Sequence, residues 1–328
     1  MKIAVIGSGS FGTAMAGMLL NAGHSVNIWC HSESVARSIN ETGRNSKRMQ
    51  ECKLDGAFAC TNFAAAFTGV DAFILATPSF AVADTVKAFA PHVPQDVPGM
   101  LLSKGLSEDG GFLYEKLAKA LGSNDRVAVL SGPNHAEEIA LGKFAGAVVA
   151  SISRETALVF QHAVSSSAFR LYTSNDPIGV SLCGAIKNVV AIACGMARGL
   201  DLGDNTISLL ITRGLAETSR LVEACGGDKL TCLGLAGVGD LNATCNSKHS
   251  RNGMFGEAFA KDGISVSEYE HSRNAVVEGA HAVKNILLLA SENNVEMPIS
   301  QAVYDLLYKD LDIRKAVQIL IERELTEE

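Results

Sequence analysis

Residues 1–20 leave few folds open. Met1-Lys2-Ile3-Ala4-Val5-Ile6, a short apolar run, passes at once into Gly7-Ser8-Gly9-Ser10-Phe11-Gly12, and Thr13 to Leu20 follows with the look of a helix. Strand, G-x-G-x-x-G turn and helix, in that order, open a dinucleotide-binding βαβ unit. Gly7 permits the tight turn, Gly9 lets the backbone approach a pyrophosphate, and Gly12 allows the helix to pack closely on the strand. The phosphates then meet the helix N-terminus, where N–H groups and the dipole favour an anion. Among 31 glycines the motif alone is weak; its place between strand and helix carries the reading. A purely structural turn is the alternative.

The alternation continues. Ser25–Trp29, Ala72–Ala76, Met100–Ser103, Val127–Leu130 and Ala147–Ala150 read as strands, with helical stretches such as Ala81–Phe89 and Phe112–Leu121 between them. Beyond Asp176-Pro177 the Val-rich strands stop and long apolar helices follow, at about 178–198, 205–225, 253–261, 275–293 and 299–308. The pattern predicts an α/β chain with an N-terminal Rossmann-like, doubly wound, mainly parallel sheet over residues 1–176 and an all-helical C-terminal domain over 177–328. The polar stretch 41–55, with Arg44, Lys47, Arg48 and Lys53, reads as a solvated loop, and the acidic end 323–328 as a frayed terminus.

Composition narrows the class. A chain of 328 residues fits two domains. Charged residues are 19%, below the roughly 25% of an average soluble protein, which points to extensive burial. A net charge of −7 gives no reason to expect nucleic acid or an anionic membrane as partner. The eight cysteines show no C-x-x-C pair or zinc-like spacing and suggest reduced core thiols; no metal is expected. No leader is expected ahead of the first strand, and no apolar stretch is expected to approach the ~20 residues of a membrane span. A cytoplasmic protein without membrane insertion is the expectation.

The choice of nucleotide depends on the end of the second strand, where an Asp or Glu usually binds the ribose 2′-OH of NAD. Here the window reads Cys30-His31-Ser32, with no acid before Glu33. Losing the acid removes repulsion toward a 2′-phosphate, and His31, Ser32 and Arg37 could donate to one. That favours NADPH, or tolerance of both NADP and NAD. An ordinary loop histidine is the equal alternative for His31.

Ligands in open α/β sheets bind beyond the carboxyl ends of the strands. Thr77-Pro78-Ser79, Lys104-Gly105 and Ser131-Gly132-Pro133-Asn134 fall there, and Lys104 is expected to project into the crevice rather than into solvent. The helical half is sharper. In residues 177–197, PIGVSLCGAIKNVVAIACGMA, Lys187 is the only charge. Such a lysine snorkels, finds a partner or gives up its proton more readily than in water, which suits general acid–base work. Gly234-Leu235-Ala236-Gly237-Val238-Gly239 can deliver Asp240 as that partner. Lys248-His249-Ser250-Arg251-Asn252 is a basic patch before a helix: Ser250 reads as an N-cap and Arg251 as a phosphate grip. A capped surface helix with solvated charges is the alternative.

These segments, in this order, resemble the NAD(P)-dependent glycerol-3-phosphate dehydrogenases of the bacterial type. The likeness runs from residue 3 to about 308 through GSGSFGTA, Lys104-Gly105, SGP, GAIKNVVAI, ITRGLAE, GLAGVGDL, SRN and VVEG. The resemblance implies reversible reduction of dihydroxyacetone phosphate to sn-glycerol 3-phosphate, supplying glycerophospholipid synthesis, by a homodimer. It implies Lys187 as proton donor and acceptor, and Lys104 as a contact of both substrate and cofactor. Gly132, Asn134, Asp240, Ser250, Arg251 and Asn252 match substrate-contacting positions, and Asn188 and Thr244 match residues lining the substrate site of related eukaryotic enzymes. Ser10, Phe11, His31, Ala136, Val276 and Glu278 match cofactor contacts, with Arg251 beside them. Two departures stand out: Asn134-His135 replaces the more usual Ser/Thr-Phe, and residues 47–54 lack Tyr-Leu-Pro-Gly. Another hydroxy acid as substrate, or a nucleotide sensor without turnover, are the rival readings.

Overall fold

The computed structural model describes residues 1–273 and 275–321; the stretch 323–328 lies outside them. The chain divides into two compact units, one of Met1–Ser107 with Gly111–Ser181, the other of Glu108–Gly110 with the residues from Leu182 onward.

The first unit is built on one sheet. Strands β1 (Lys2–Ile6), β2 (Ser25–Trp29), β3 (Phe58–Cys60), β4 (Ala72–Leu75), β5 (Gly99–Leu101), β6 (Val127–Ser131), β7 (Ala145–Ala150) and β8 (Phe169–Ser174) lie in the order β3-β2-β1-β4-β5-β6-β7-β8. Every neighbouring pair is parallel except β6 with β7. Helices α1 (Ser10–Asn21), α2 (Glu33–Thr42), α3 (Phe63–Ala66), α4 (Val82–Phe89), α5 (Leu113–Leu121), α6 (Ala136–Ala140) and α7 (Arg154–Val164) connect the strands. Because strands of such a sheet are covered on both faces, they read as unbroken apolar runs: β4 and β6 are buried at every residue. Phe73 of β4 meets Phe67 and Phe89 edge-on at 5.4 and 5.5 Å between ring centroids, filling one layer of the core. Strand order reverses between β1 and β4, which places a crevice at the carboxyl ends of these strands.

Two strands escape the sequence reading. β3 has three residues, too few for a periodic signal. β8 alternates buried and exposed side chains from Phe169 to Tyr172, as a strand at the sheet edge does.

The second unit is helical, with no strand after Ser174 among the described residues. Helix α8 (Pro177–Gly199), whose first five residues belong to the first unit, is followed by α9 (Gly203–Ala224), α10 (Asp240–Asn246), α11 (Arg251–Asp262), α12 (Val266–Arg273), α13 (Glu278–Glu292), α14 (Pro298–Tyr308) and α15 (Ile313–Ile321). The expectation that no apolar stretch approaches a membrane span is wrong for α8. Its 23 residues reach a mean hydropathy of 1.7 over an 18-residue window, and 83% of that window is buried inside the protein. The apolarity is that of a core helix. Helix α11 presses so closely on α8 that a Cβ at Gly256 would overlap the Ile192 carbonyl. The helix expected from 275 begins only at Glu278: Val277 has non-helical dihedrals and is its N-cap, and the Val277 N–H donates to Glu270 Oε1 at 2.7 Å.

Candidate active site

The glycine turn between β1 and α1 has the shape its residues require. Gly7 sits at φ +122°, where an L side chain is strained, and a Cβ there would lie 2.6 Å from the Ala76 carbonyl oxygen. At Gly12 a Cβ would overlap the Gly7 carbonyl, so this glycine is needed for helix-on-turn packing. At Gly9 a Cβ would meet nothing within 4 Å, so no protein atom requires glycine there. Helix α1, starting at Ser10 and Phe11, has no acidic residue in its first turn and no side chain capping its N-terminus. Its donors and dipole suit a pyrophosphate, so a dinucleotide fits this turn.

One residue that holds the turn gave no sequence signal. Asn45, fully buried in the stretch expected to be a solvated loop, donates through Nδ2 to the Ser8 carbonyl at 2.9 Å and to Thr13 Oγ1 at 2.8 Å. Its Oδ1 accepts the N–H groups of Lys47 and Arg48. Lys47, Arg48 and Lys53 are exposed as expected. A buried asparagine inside a polar stretch is indistinguishable from its solvated neighbours until the fold is known. His31, after β2, is exposed, and the Ser32 and Ser34 hydroxyls are 2.8 Å apart.

The next three sequence candidates come together at the carboxyl ends of β5 and β6. Lys104 Nζ donates to Asn134 Oδ1 at 3.1 Å and approaches the Gly132 carbonyl at 3.5 Å. Asn134 is buried, and its Nδ2 finds no acceptor in the protein among the described residues; the buried Thr77 Oγ1, after β4, likewise has no partner among them. A lysine can only donate, so it fixes the Asn134 oxygen toward itself and leaves the amide N–H groups for a ligand. Ala136 opens α6 just beyond.

In the helical unit Lys187 and Asp240 are hydrogen-bonded as an ion pair. They are 7% and 2% exposed, so neither charge can be settled by water. Lys187 Nζ also donates to Thr244 Oγ1 at 2.9 Å, and the Thr244 hydroxyl lies 3.4 Å from Asp240 Oδ1. Asp240 and Thr244 are one turn apart at the start of α10, so a single helical face presents both to the lysine. A buried ammonium is stable only when so paired.

Ser250 caps α11 through its Oγ, which accepts the Gly253 N–H at 3.2 Å, and Arg251 at the first helical position is exposed. Asn252 points inward. Its Nδ2 donates to Asn188 Oδ1 at 3.0 Å, and its Oδ1 accepts the Gly279 N–H at 2.9 Å. Val276 is half-buried ahead of α13, and Glu278 is its first residue. The eight cysteines are free thiols, six of them buried.

The sheet order, the glycine turn and the buried lysine–carboxylate pair define a dehydrogenase of the two-unit kind that uses a nicotinamide dinucleotide. Residues 2–157 match the family model for the NAD-dependent glycerol-3-phosphate dehydrogenase N-terminus, and residues 176–318 match that for its C-terminus. The chain belongs to the NAD-dependent glycerol-3-phosphate dehydrogenase family. It is 41% identical to the glycerol-3-phosphate dehydrogenase [NAD(P)+] of Moorella thermoacetica over 330 aligned residues, covering 100% of this chain and 97% of that one. To the enzyme of the same name from Corynebacterium diphtheriae it is 40% identical, with 98% of each covered. The crystal structure of glycerol-3-phosphate dehydrogenase from Coxiella burnetii superposes with a TM-score of 0.93 at 34% identity, over 98% of this chain and 99% of that one.

Proposed function

We propose that this chain catalyses the reversible, NAD(P)H-dependent reduction of dihydroxyacetone phosphate to sn-glycerol 3-phosphate. The observation that carries the reading is the buried ion pair that Lys187, the only charge in residues 177–197, makes with Asp240 of α10. Residues 1–176 serve as the nucleotide-binding half and 177–328 as the substrate-binding and catalytic half.

The turn Gly7–Gly12 and the start of α1 would hold the pyrophosphate, with His31 at the ribose and Ala136, Val276 and Glu278 as further contacts. When bound, the nicotinamide supplies or accepts the hydride at the C2 carbon of the substrate. The protein's own part is the proton. The Lys187 ammonium donates it to the oxygen at C2 as the carbonyl is reduced, and takes it back in the reverse direction. Asp240 and Thr244 hold the ammonium in one place and stabilise its charge while no substrate is present. Arg251, in the first turn of α11, binds the phosphate bidentately beside the helix N-terminus. That grip on the unreacting end of the substrate fixes the carbonyl in place. Lys104 and the Asn134 amide donate to substrate oxygens.

The absence of an acid in Cys30-His31-Ser32 supports a preference for NADPH. The family resemblance supports a homodimer, a cytoplasmic location and a role in supplying glycerophospholipid synthesis. The deciding assay follows loss of reduced-nicotinamide absorbance with dihydroxyacetone phosphate, once with NADPH and once with NADH. Rapid oxidation that Lys187→Ala abolishes is the expected result. Oxidation unaffected by that substitution would overturn the role of Lys187, and none with either cofactor would overturn the substrate.

A further inference from the structure

The hydrogen-bond chain that ends at Asn188 has a direction. A backbone N–H can only donate, so the atom of Asn252 that faces the Gly279 N–H must be its oxygen. The other end of that amide is then Nδ2, and it donates to Asn188. The atom of Asn188 that receives it must in turn be an oxygen. What remains of Asn188 is its own NH2 group, buried and without an acceptor among the described residues. The polarity of one amide is thus set by a peptide group two links away.

The anchor of this chain cannot drift. A Cβ at Gly279 would lie 2.5 Å from the Asn188 carbonyl oxygen, so glycine lets the start of α13 sit directly on α8 at the residue whose side chain it controls. Asn188 and Asn252 are 4% and 7% exposed, which leaves little water to pair with either amide or to blur the direction.

We propose that Asn252 is a positioning residue: it turns Asn188 so that only N–H donors, never the amide oxygen, face the substrate. The inference rests on the reading of this site as one for dihydroxyacetone phosphate. Asn188 follows Lys187 along α8 and donates to the C2 oxygen, whose negative charge grows during reduction. A donor there binds the transition state better than the ground state, and an amide oxygen turned to the same place would repel it. The effect of Asn252 therefore falls on kcat more than on KM, and it is exerted wholly through Asn188.

The test is a double-mutant cycle on the full enzyme with dihydroxyacetone phosphate and NADPH. In Asn252→Asp one carboxylate oxygen still accepts the Gly279 N–H, but the other can only accept, so Asn188 must turn its NH2 toward position 252. Removing one such donor costs roughly 10²-fold in kcat, and that loss is expected for N188A and for N252D alike. The double variant should be no slower than N188A. Asn252→Leu, similar in size and neutral, separates polarity from charge: it should lower kcat and leave competitive inhibition by inorganic phosphate unchanged. Losses that multiply in the double variant would overturn the proposal, as would a raised phosphate inhibition constant in N252L, which would make Asn252 a direct phosphate contact. If the variants at 252 do not fold, side-chain amide NMR of the unaltered enzyme decides. Glycerol 3-phosphate should shift the Asn188 NH2 resonances and leave those of Asn252 nearly still, and the opposite pattern would overturn the proposal. Failure of the unaltered enzyme to turn over dihydroxyacetone phosphate would instead mark failure of the substrate reading, seen before any variant is made.

Discussion

Glu217 accepts the backbone N–H of Ile299 at 2.6 Å across 82 residues of sequence. Ser300, next along the first turn of α14, approaches the same carboxylate with its N–H and its hydroxyl at 3.4 Å. The side chain is 2% exposed, and burial pushes its pKa up to about 7, against the pull of the Ile299 and Ser300 hydrogen bonds. The folded state therefore holds a proton that the unfolded chain releases near pH 4.5. This stabilisation is complete below that pH and is lost as pH rises to about 7, a change of about 3 kcal/mol. Glu217→Gln stays neutral throughout. Denaturant unfolding at pH 5 and pH 8 should show the wild type losing about 2 kcal/mol more than the variant between the two; parallel losses would show that Glu217 does not titrate in this window.

Breaking the pair of Lys187 with Asp240 should cost more than removing it. Lys187→Met leaves a buried carboxylate without its cation, a loss of about 3–5 kcal/mol in unfolding free energy. Adding Asp240→Leu should return much of that stability while turnover stays absent. Urea unfolding of the single and double variants, with activity measured in parallel, separates the structural from the chemical role. A double variant less stable than K187M would contradict the coupling.

Two glycines three residues apart should respond in opposite ways. Gly9→Ala adds a methyl group to space that holds no protein atom, so the melting temperature should change little while the KM for the dinucleotide rises tenfold or more. Gly12→Ala forces helix α1 off the turn and should destabilise the protein by about 1–3 kcal/mol even without cofactor. Thermal melts with and without NADPH report both. A G9A enzyme with unchanged cofactor affinity would remove that turn from the nucleotide site.

Arg251 is exposed and caps no core element, so Arg251→Ala should leave stability within about 0.5 kcal/mol of wild type. Its KM for dihydroxyacetone phosphate should rise by a factor of about 10² or more, with much less effect on dihydroxyacetone, which has no phosphate to grip. Steady-state kinetics on the two ketones make the comparison, and equal losses on both would remove Arg251 from phosphate binding.

The parts of this molecule that were legible beforehand share one property: their physical cause is local. The glycine turn is written in adjacent residues. Lys187 stands out because it is the only charge in residues 177–197, and Ser250 because a serine directly ahead of a helical run is a favoured N-cap. What escaped depends on partners far away in sequence. Asn45 reaches Ser8 across 37 residues and Asn252 reaches Asn188 across 64, and neither shows in any window of the chain. Glu217 lay within a recognised motif, yet only the placement of α14 gives it a task. Strand β3 pairs with β2 over three residues, fewer than the four or more over which an alternation can be read.

Helix α8 has one more consequence, for the chain before it folds. As it emerges, with α11 and α13 not yet made, residues 177–199 have the length and apolarity that a bilayer accepts as a spanning segment. A lysine at the middle of such a segment raises the cost of insertion by about 2.5–3.5 kcal/mol. The side chain proposed to move the proton is thus also the one that makes this segment a poorer fit to a bilayer than its length and apolarity alone suggest.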